Sequence, residues 1–404
     1  MTESRRDPAD RGALDRATLA AWDDRYTWHP FTPHSVYRDD EPLLIERADG
    51  CWLVDVDGRR LLDGVGSLWC NLIGHRNTRV DEAIRAQLER IAHSTWLGNS
   101  SVPGILLARR LVALAPAGLS RVFYSDDGST AVEVALKMAL QFHSQAGEAG
   151  GDARVRFLSF GEAYHGDTVG AVSAGGMDIF HARFGPLLFD VDRAPSPFSW
   201  RAEADGDPKR WLQLAVDDLG ARLAACGSRL AAVVVEPGVQ GAAGMLTQPP
   251  GWLAAVRELC DRYGVLLIAD EVAVGMGRSG HLFACQREGV RPDLICLAKG
   301  LTAGYLPLAA TLATERIFQA FLGPPEEGRT FFHGHTFTAN ALGAAAALAT
   351  LEVLVDDDLI GRVPGLIEQM SRGLESLARL PGVADVRQYG LAAGIELRDP
   401  ASGA

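Results

Sequence analysis

The sequence predicts an α/β protein organised around a mostly parallel mixed sheet between helices, and three observations carry that expectation. Short β-branched runs at 121–124, 155–160, 231–235, 265–269, 294–297 and 308–312 alternate with segments of helical periodicity, the pattern of strands joined by crossover helices. Several of these runs are apolar throughout, as in Val265-Leu-Leu-Ile-Ala269, which suits strands covered on both faces. The chain has 404 residues, 47% of them apolar and 22% charged, enough for a large core and for two to three domains of ordinary size.

Taken in order, residues 1 to about 20 are polar and are expected to fray, and Trp28-His-Pro-Phe-Thr-Pro33 is too rich in proline for a helix and reads as an extended arm. Between 43 and 63 two alternating runs flank Asp57-Gly58, a hairpin signal. Val80, Ile84, Leu88 and Ile91 recur at helical spacing, and a further helix is expected over 103–115. A polar linker is expected at 144–151 and a non-core insertion, rich in Pro, Ser, Asp and Trp, at 195–210. Past Asn340 come two helical patterns and a last strand pattern over 383–397, then a loop-like ending at 398–404. The expected division is an arm and hairpin at 1–75 that joins a small domain, a large domain at 76–339, and a linking helix with the start of a C-terminal small domain at 340–404.

Composition removes several function classes. A formal charge of -12 with no Lys/Arg run argues against a nucleic-acid partner, whose phosphates demand clustered cations. Six cysteines without a CxxC pair suit neither a zinc site nor a disulfide framework; reduced thiols in a cytoplasm are expected, and no metal. The N-terminus has no apolar signal core, and the least polar stretch, 339–355, is Ala/Gly-rich with Asn and Glu inside it, so no membrane partner is expected. No GxGxxG follows a strand, which counts against a dinucleotide-dependent dehydrogenase.

Three strand ends carry chemistry. Gly128-Ser129-Thr130 lies between a strand and a helix with the polar stripe Glu133, Lys137 and Gln141, and a helix N-terminus of this kind suits a phosphate. A plain N-cap at Ser129 is the alternative. The apolar run from Val265 ends in Asp270-Glu271, at the strand edge where α/β sheets bind ligands; the alternative is a helix cap or a structural ion pair. Leu294-Ile-Cys-Leu-Ala-Lys299 ends in a lysine whose ammonium burial disfavours unless it is paired or used. Together the three make a pyridoxal 5'-phosphate (PLP) site: a phosphate at the helix N-terminus, Asp270 against the pyridine nitrogen, and Lys299 as the Schiff-base lysine. Tyr164-His-Gly-Asp167 follows another strand and offers an aromatic ring to the cofactor.

Over nearly its whole length the sequence resembles the class III (fold type I) PLP-dependent aminotransferases. Asp270-Glu-Val-Ala-Val-Gly-Met-Gly-Arg-Ser-Gly280 matches the signature of that class, with Lys299 29 residues after Asp270. Trp28-His-Pro-Phe31, Gly66-Ser-Leu-Trp69, Ala92-His-Ser-Thr95, Tyr164-His-Gly-Asp-Thr168, Glu236-Pro-Gly-Val-Gln-Gly241 and Phe332-His-Gly-His-Thr-Phe337 are similar to the biotin-pathway branch of the class. The resemblance implies Lys299 as the catalytic residue. It implies Gly128, Ser129, Tyr164, Asp270, Val272, Lys299, His335 and Thr336 as cofactor-binding residues, and Phe31, Trp69, Tyr164, Lys299 and Gly334 as substrate-binding ones. Thr336, after Gly334 and His335, would reach the phosphate in a neighbouring subunit, which implies a homodimer with shared sites; a cap for the following helix is the alternative.

The implied reaction is transamination of 8-amino-7-oxononanoate to 7,8-diaminononanoate, with S-adenosylmethionine or lysine as donor. Phe31 and Leu68 stand where many members of the branch have a tyrosine and a first tryptophan; with Gly304-Tyr305 and His335 they bring the sequence nearer the lysine-using enzymes. Ala242 follows Gln240-Gly241 where ornithine- and 4-aminobutyrate-type relatives often carry a glutamate. The alternatives are an ω-amino acid or amine transaminase using pyruvate or 2-oxoglutarate, and a catalytically impaired homologue. The family continues a few dozen residues beyond Ala404 through a segment with a carboxylate-binding arginine, so the small domain is expected to be C-terminally incomplete here.

Overall fold

The computed structural model describes residues 15–146 and 154–399. Residues 1–14 of the expected frayed terminus, most of the expected linker at 144–151 and residues 400–404 lie outside the described residues. The chain forms two compact units, Met1–Leu68 with Gly74–Asn77, and Trp69–Ile73 with Thr78–Ala404.

In the first unit, helix α1 (Arg16–Tyr26) begins where fraying was expected, because Asp15 accepts a hydrogen bond from Thr18 N at 2.7 Å and caps it. The proline-rich stretch is non-helical, as its composition predicts, but it is tied back rather than free. Asp23 accepts from the Tyr37 hydroxyl at 2.6 Å and contacts His29 Nε2 at 3.0 Å. Strands β1 (Ile45–Asp49), β2 (Trp52–Asp55) and β3 (Arg60–Leu62) make an antiparallel meander. Asp57-Gly58 forms the β2–β3 turn, with Gly58 at φ 82, and buried Asp55 locks it by accepting from Asp57 N and Arg59 N at 3.1 and 2.8 Å.

In the second unit, α2 (Thr78–Leu88) and α3 (Val102–Leu114) lead into β4 (Leu119–Ser125) and α4 (Gly128–Gln145). Then follow β5 (Arg156–Phe160), β6 (Asp192–Ala194), α5 (Pro208–Cys226), β7 (Leu230–Val235), the short pair β8 (Val239–Gln240) and β9 (Leu246–Thr247), α6 (Trp252–Tyr263), β10 (Leu266–Asp270), β11 (Leu294–Leu297) and β12 (Ala309–Thr314). A seven-stranded sheet has the order β4-β12-β11-β10-β7-β5-β6. Strands β11, β10, β7, β5 and β6 run parallel, whereas β12 is antiparallel to both β11 and β4. Each predicted run is a strand to within two residues. The unpredicted β6, Asp-Arg-Ala, has no apolar run to announce it.

Side chains alternate across the sheet. Leu267 and Ala269 of β10 face one core with Leu111 of α3, Leu219 of α5, Val256 of α6 and Ala347 of α7 (Ala341–Leu351), while Leu266 and Ile268 face Ala135 and Phe142 of α4. Helices therefore cover both faces, and the central strands β7, β10 and β11 are buried throughout. The stretch 195–210 is largely exposed, as a non-core insertion should be, but its start departs from that: Ser196 and Pro197 are buried, Ser196 Oγ donates to Gln240, and Trp211 Nε1 donates to Pro197 O at 2.7 Å. The buried Ser196 hydroxyl is satisfied by a residue 44 positions away, which composition alone does not reveal.

Helix α7 starts at Asn340, whose side chain accepts from Leu342 N and Gly343 N at 3.1 Å; Thr336 is therefore not its cap. After α8 (Leu359–Leu377), the single strand pattern over 383–397 divides into β13 (Val383–Tyr389) and β14 (Ala392–Leu397) at a tight turn, with Gly390 at φ 60. This hairpin lies against the loop after β7. A Cβ placed on Gly238 would come within 2.1 Å of the Tyr389 ring, and Arg387 Nε donates to Gly244 O at 3.1 Å. No helix among the described residues is long and apolar enough to cross a membrane, and the six cysteines, all described, form no disulfide with one another.

Candidate active site

One edge of the sheet gathers the ends of β4, β5, β7, β10 and β11, and beyond it lies a cavity of about 680 Å³. From β4 come Asp126 to Ser129. From β5 come Tyr164 to Thr168, from β7 Glu236, from β10 Asp270 and Val272, and from β11 Lys299; Trp69, Cys70 and residues 304–308 complete the wall.

Helix α4 supplies an N-terminus shaped for close approach. Asp127, not Ser129, is its cap: the Asp127 carboxylate accepts from Thr130 N at 2.9 Å, and Ala131 N makes the first intrahelical bond, to Asp127 O. Ser129 sits inside the first turn, where its hydroxyl accepts from Thr168 N at 2.9 Å and shares a 2.8 Å bond with the Thr168 hydroxyl. A Cβ on Gly128 would meet Val272 Cγ1 at 2.5 Å, and one on Gly166 would meet Ser129 at 2.4 Å. Glycine is required at both because two strand-end loops press on the helix start.

Asp270 ends β10 on the side facing α4. Its Oδ1 accepts from Val272 N at 3.0 Å, and Oδ2 lies 2.7 Å from His165 Nδ1. Both side chains are buried, and His165 Nε2 has no partner among the described residues. Burial works against the imidazolium, but the bond to Asp270 and its charge outweigh it and raise the His165 pKa.

Glu236 is buried nearby, accepting from Tyr164 N at 3.1 Å through one oxygen and from Gly241 N at 3.0 Å through the other. Desolvation, reinforced by Asp270 and opposed by His165, pushes its pKa up to about 7. The neighbouring Glu271 is equally buried but faces away, accepting from Ala284 N and Cys285 N.

Lys299 stands at φ 40, and its ammonium lies 4.6 Å from the centroid of the Trp69 ring. Burial lowers its pKa against the pull of Asp270 and Glu236, so the neutral amine is more accessible than in water. Trp69 has φ 69, the last of four consecutive left-handed residues from Gly66. The Tyr164 hydroxyl donates to Asp167 at 2.7 Å.

Of the residues singled out from sequence, Trp69, Gly128, Ser129, Tyr164, Asp270, Val272 and Lys299 line this one cavity. Gly334, His335 and Thr336 do not; Gly334 and Thr336 are exposed, and His335 Nδ1 pairs with Asp126 at 2.9 Å. Phe31 belongs to the other unit, exposed and at φ 54. Sequence reasoning missed His165 and Glu236 as site residues, although both stand inside quoted motifs. The signal was a histidine next to Tyr164 and a glutamate closing the all-apolar strand β7.

The aminotransferase class-III family model matches residues 35–403. The chain belongs to the class III aminotransferases. Among curated members it is 55% identical, over 94% of its length and 70% of the relative's, to the adenosylmethionine-8-amino-7-oxononanoate aminotransferase of Nitratidesulfovibrio vulgaris. It is 49% identical, over 96% and 85%, to the enzyme of that name from Geobacter sulfurreducens. In three dimensions it superposes on the Methanocaldococcus jannaschii protein of that name with a TM-score of 0.90, at 42% identity, covering 96% of this chain and 86% of that one. An (S)-enantioselective ω-transaminase from Thermomicrobium roseum gives 0.89 at 34% identity, covering 96% and 86%.

Class III aminotransferases are PLP enzymes, and this member is a PLP-dependent transaminase. Its cavity suits that cofactor on its own geometry. The two glycines let the strand-end loops close on a helix start that suits a phosphate, a buried carboxylate ends β10, and a lysine with a lowered pKa lines the same cavity.

Proposed function

We propose that the chain transfers an amino group to the ketone of 8-amino-7-oxononanoate, giving 7,8-diaminononanoate on the route to biotin. The observation that carries this reading is the 55% identity, over 94% of the chain, to a relative named for that acceptor. S-adenosylmethionine is the donor in the relative's name, and lysine is the alternative that Phe31, Leu68 and His335 favour.

PLP, when bound, supplies a carbonyl carbon that condenses with amines and a ring that takes up the electron pair left by a departing proton. The chain supplies the rest. Gly128 and Ser129 would hold the phosphate through the N–H groups at the start of α4, whose positive end favours an anion. Asp270 would hold a proton on the ring nitrogen, and His165, bonded to its other side, fixes the orientation of that carboxylate. Val272 packs against Gly128 and would close the space behind the ring. Tyr164, anchored by Asp167 through its hydroxyl and by Glu236 through its N–H, forms a wall that excludes water. Lys299 would move the proton at the substrate carbon; burial lowers its pKa and so favours the neutral base. Trp69 gives the substrate chain an apolar wall.

We further propose a cytoplasmic homodimer in which Gly334 and Thr336 serve the partner's site, with Phe31 on the substrate side. The division into an arm at 1–75, a large domain at 76–339 and a small-domain start at 340–404 goes with that arrangement.

The test is turnover of 8-amino-7-oxononanoate by the purified holoenzyme, offered S-adenosylmethionine or lysine, against pyruvate and 2-oxoglutarate with amine donors. Diaminononanoate formation at a kcat/KM at least tenfold above the other pairs is expected. Preference for pyruvate would assign the chain to the ω-transaminases instead.

A further inference from the structure

The turn that opens α4 carries two adjacent acids, Asp126 and Asp127, immediately before the glycine and serine assigned to the cofactor phosphate, which sets two carboxylates beside a dianion. Asp127 is accounted for: it faces into the helix, accepting from Thr130 N at 2.9 Å while the Thr130 hydroxyl accepts from Asp127 N at 3.0 Å. Asp126 lines the cavity, and its side chain pairs with His335 Nδ1 at 2.9 Å.

A carboxylate only accepts hydrogen bonds, so Nδ1 of His335 carries the proton. The pair is half-buried, with side-chain exposures of 27% for His335 and 36% for Asp126, and is screened less than a surface pair. The same loop is fixed at two more points. His333 Nδ1 accepts from Lys137 Nζ of α4 at 3.2 Å, and His93 Nε2 donates to Thr336 O at 2.8 Å. Loop 331–340 is thus held against α4 by Lys137 of α4, by Asp126 of the turn before it and by His93.

We propose that His335 is a positioning residue for cofactor affinity within its own chain. By holding Asp126 it offsets the one carboxylate that would otherwise repel the phosphate, and it pins the loop that carries Thr336. This rests on reading the cavity as a PLP site. The role differs from contact of His335 with a partner's cofactor, because it acts through Asp126 on the same chain.

The test is the PLP dissociation constant of the resolved enzyme, measured by absorbance and fluorescence titration, for wild type, His335→Ala, His335→Gln, Asp126→Asn and the double variant Asp126→Asn/His335→Ala. Thermal unfolding of each PLP-free protein serves as the folding control. The expected result is at least threefold weaker binding for His335→Ala, a smaller loss for His335→Gln, which keeps an N–H donor, and recovery of more than half of the loss, on a logarithmic scale, in the double variant. A loss below threefold overturns the proposal, as does a double variant no better than His335→Ala, because either outcome removes the repulsion from Asp126. A wild-type protein that takes up no PLP overturns the reading of the cavity and this assignment with it.

Discussion

Glu236 offers the sharpest perturbation of the site that does not touch the reacting lysine. The substitution Glu236→Gln keeps the side chain's shape but removes the charge and replaces one of two accepting oxygens with an N–H2 group. Both oxygens are in use, toward Tyr164 N at 3.1 Å and Gly241 N at 3.0 Å, so one backbone donor is left facing another donor. That loss is about 1–3 kcal/mol of stability and does not depend on pH.

The second effect does depend on pH. The Glu236 pKa is raised from 4.5 to about 7 by burial, so between those values the folded protein keeps a proton that the unfolded chain releases. Stability therefore falls as pH rises through that window, and the contribution is constant above pH 7. With 1.4 kcal/mol per unit, the wild type loses up to about 3 kcal/mol relative to Glu236→Gln between pH 4.5 and 7. Glu271, raised to about 7 in the same way, is common to both proteins and cancels in the difference. Urea unfolding followed by tryptophan fluorescence at pH 5, 6, 7 and 8, on PLP-free protein at one concentration, measures it. The two stability profiles should converge on the alkaline side, the variant gaining on the wild type by roughly 1 kcal/mol per pH unit up to pH 7. Parallel profiles from pH 5 to 8 would refute the argument and show that the site holds Glu236 as an ordinary carboxylate.

Other expectations follow from the same geometry. Lys299→Ala should reduce transamination by about a thousandfold or more, since it removes both the attachment point and the base, and borohydride should no longer fix PLP to the peptide containing position 299. Gly128→Ala drives a methyl group to 2.5 Å from Val272 Cγ1; an overpacking loss of about 1–3 kcal/mol in PLP binding is expected, recovered in part by adding Val272→Ala and read by cofactor titration. Gly238→Ala meets the Tyr389 ring at 2.1 Å from a backbone at φ 81, so a thermal-shift assay should show it more destabilised than Gly289→Ala, where φ is 64 but nothing lies within 4 Å.

Much of the fold was legible because several of the principal strands are short apolar runs, and because two of those runs end in residues that do not belong in a core. Asp270 and Lys299 announce themselves by breaking the pattern of β10 and β11. His165 did not, because its reason for being buried is a carboxylate 105 residues away, and no local periodicity encodes that pairing. The alternative reading of Ser129 as the cap of α4 lies two residues from the observed cap for a related reason: Asp127 and Ser129 are both good caps in isolation, and Ser129 is instead bonded to Thr168. Strand direction was equally hidden. Nothing in the apolar run at 308–312 distinguishes a strand antiparallel to its neighbours from a parallel one. The stretch 195–210 read as a loop by composition and is largely exposed, but its start, Ser196 and Pro197, is buried through contacts to Gln240 and Trp211 that only the assembled chain makes.

The reversed strand β12 also sets a schedule for synthesis. Edge strand β4 hydrogen-bonds within the sheet to β12 alone, and roughly 190 residues separate the end of one from the end of the other. At about 5–20 residues per second, a ribosome needs about 10–40 s to deliver that partner after β4 has emerged. Through that interval Phe123 and the unpaired backbone of β4 are a surface open to other nascent chains. Variants that slow translation between the two strands, or that make β4 more apolar, should reveal themselves first in the insoluble fraction of a cell rather than in the rate of the purified enzyme.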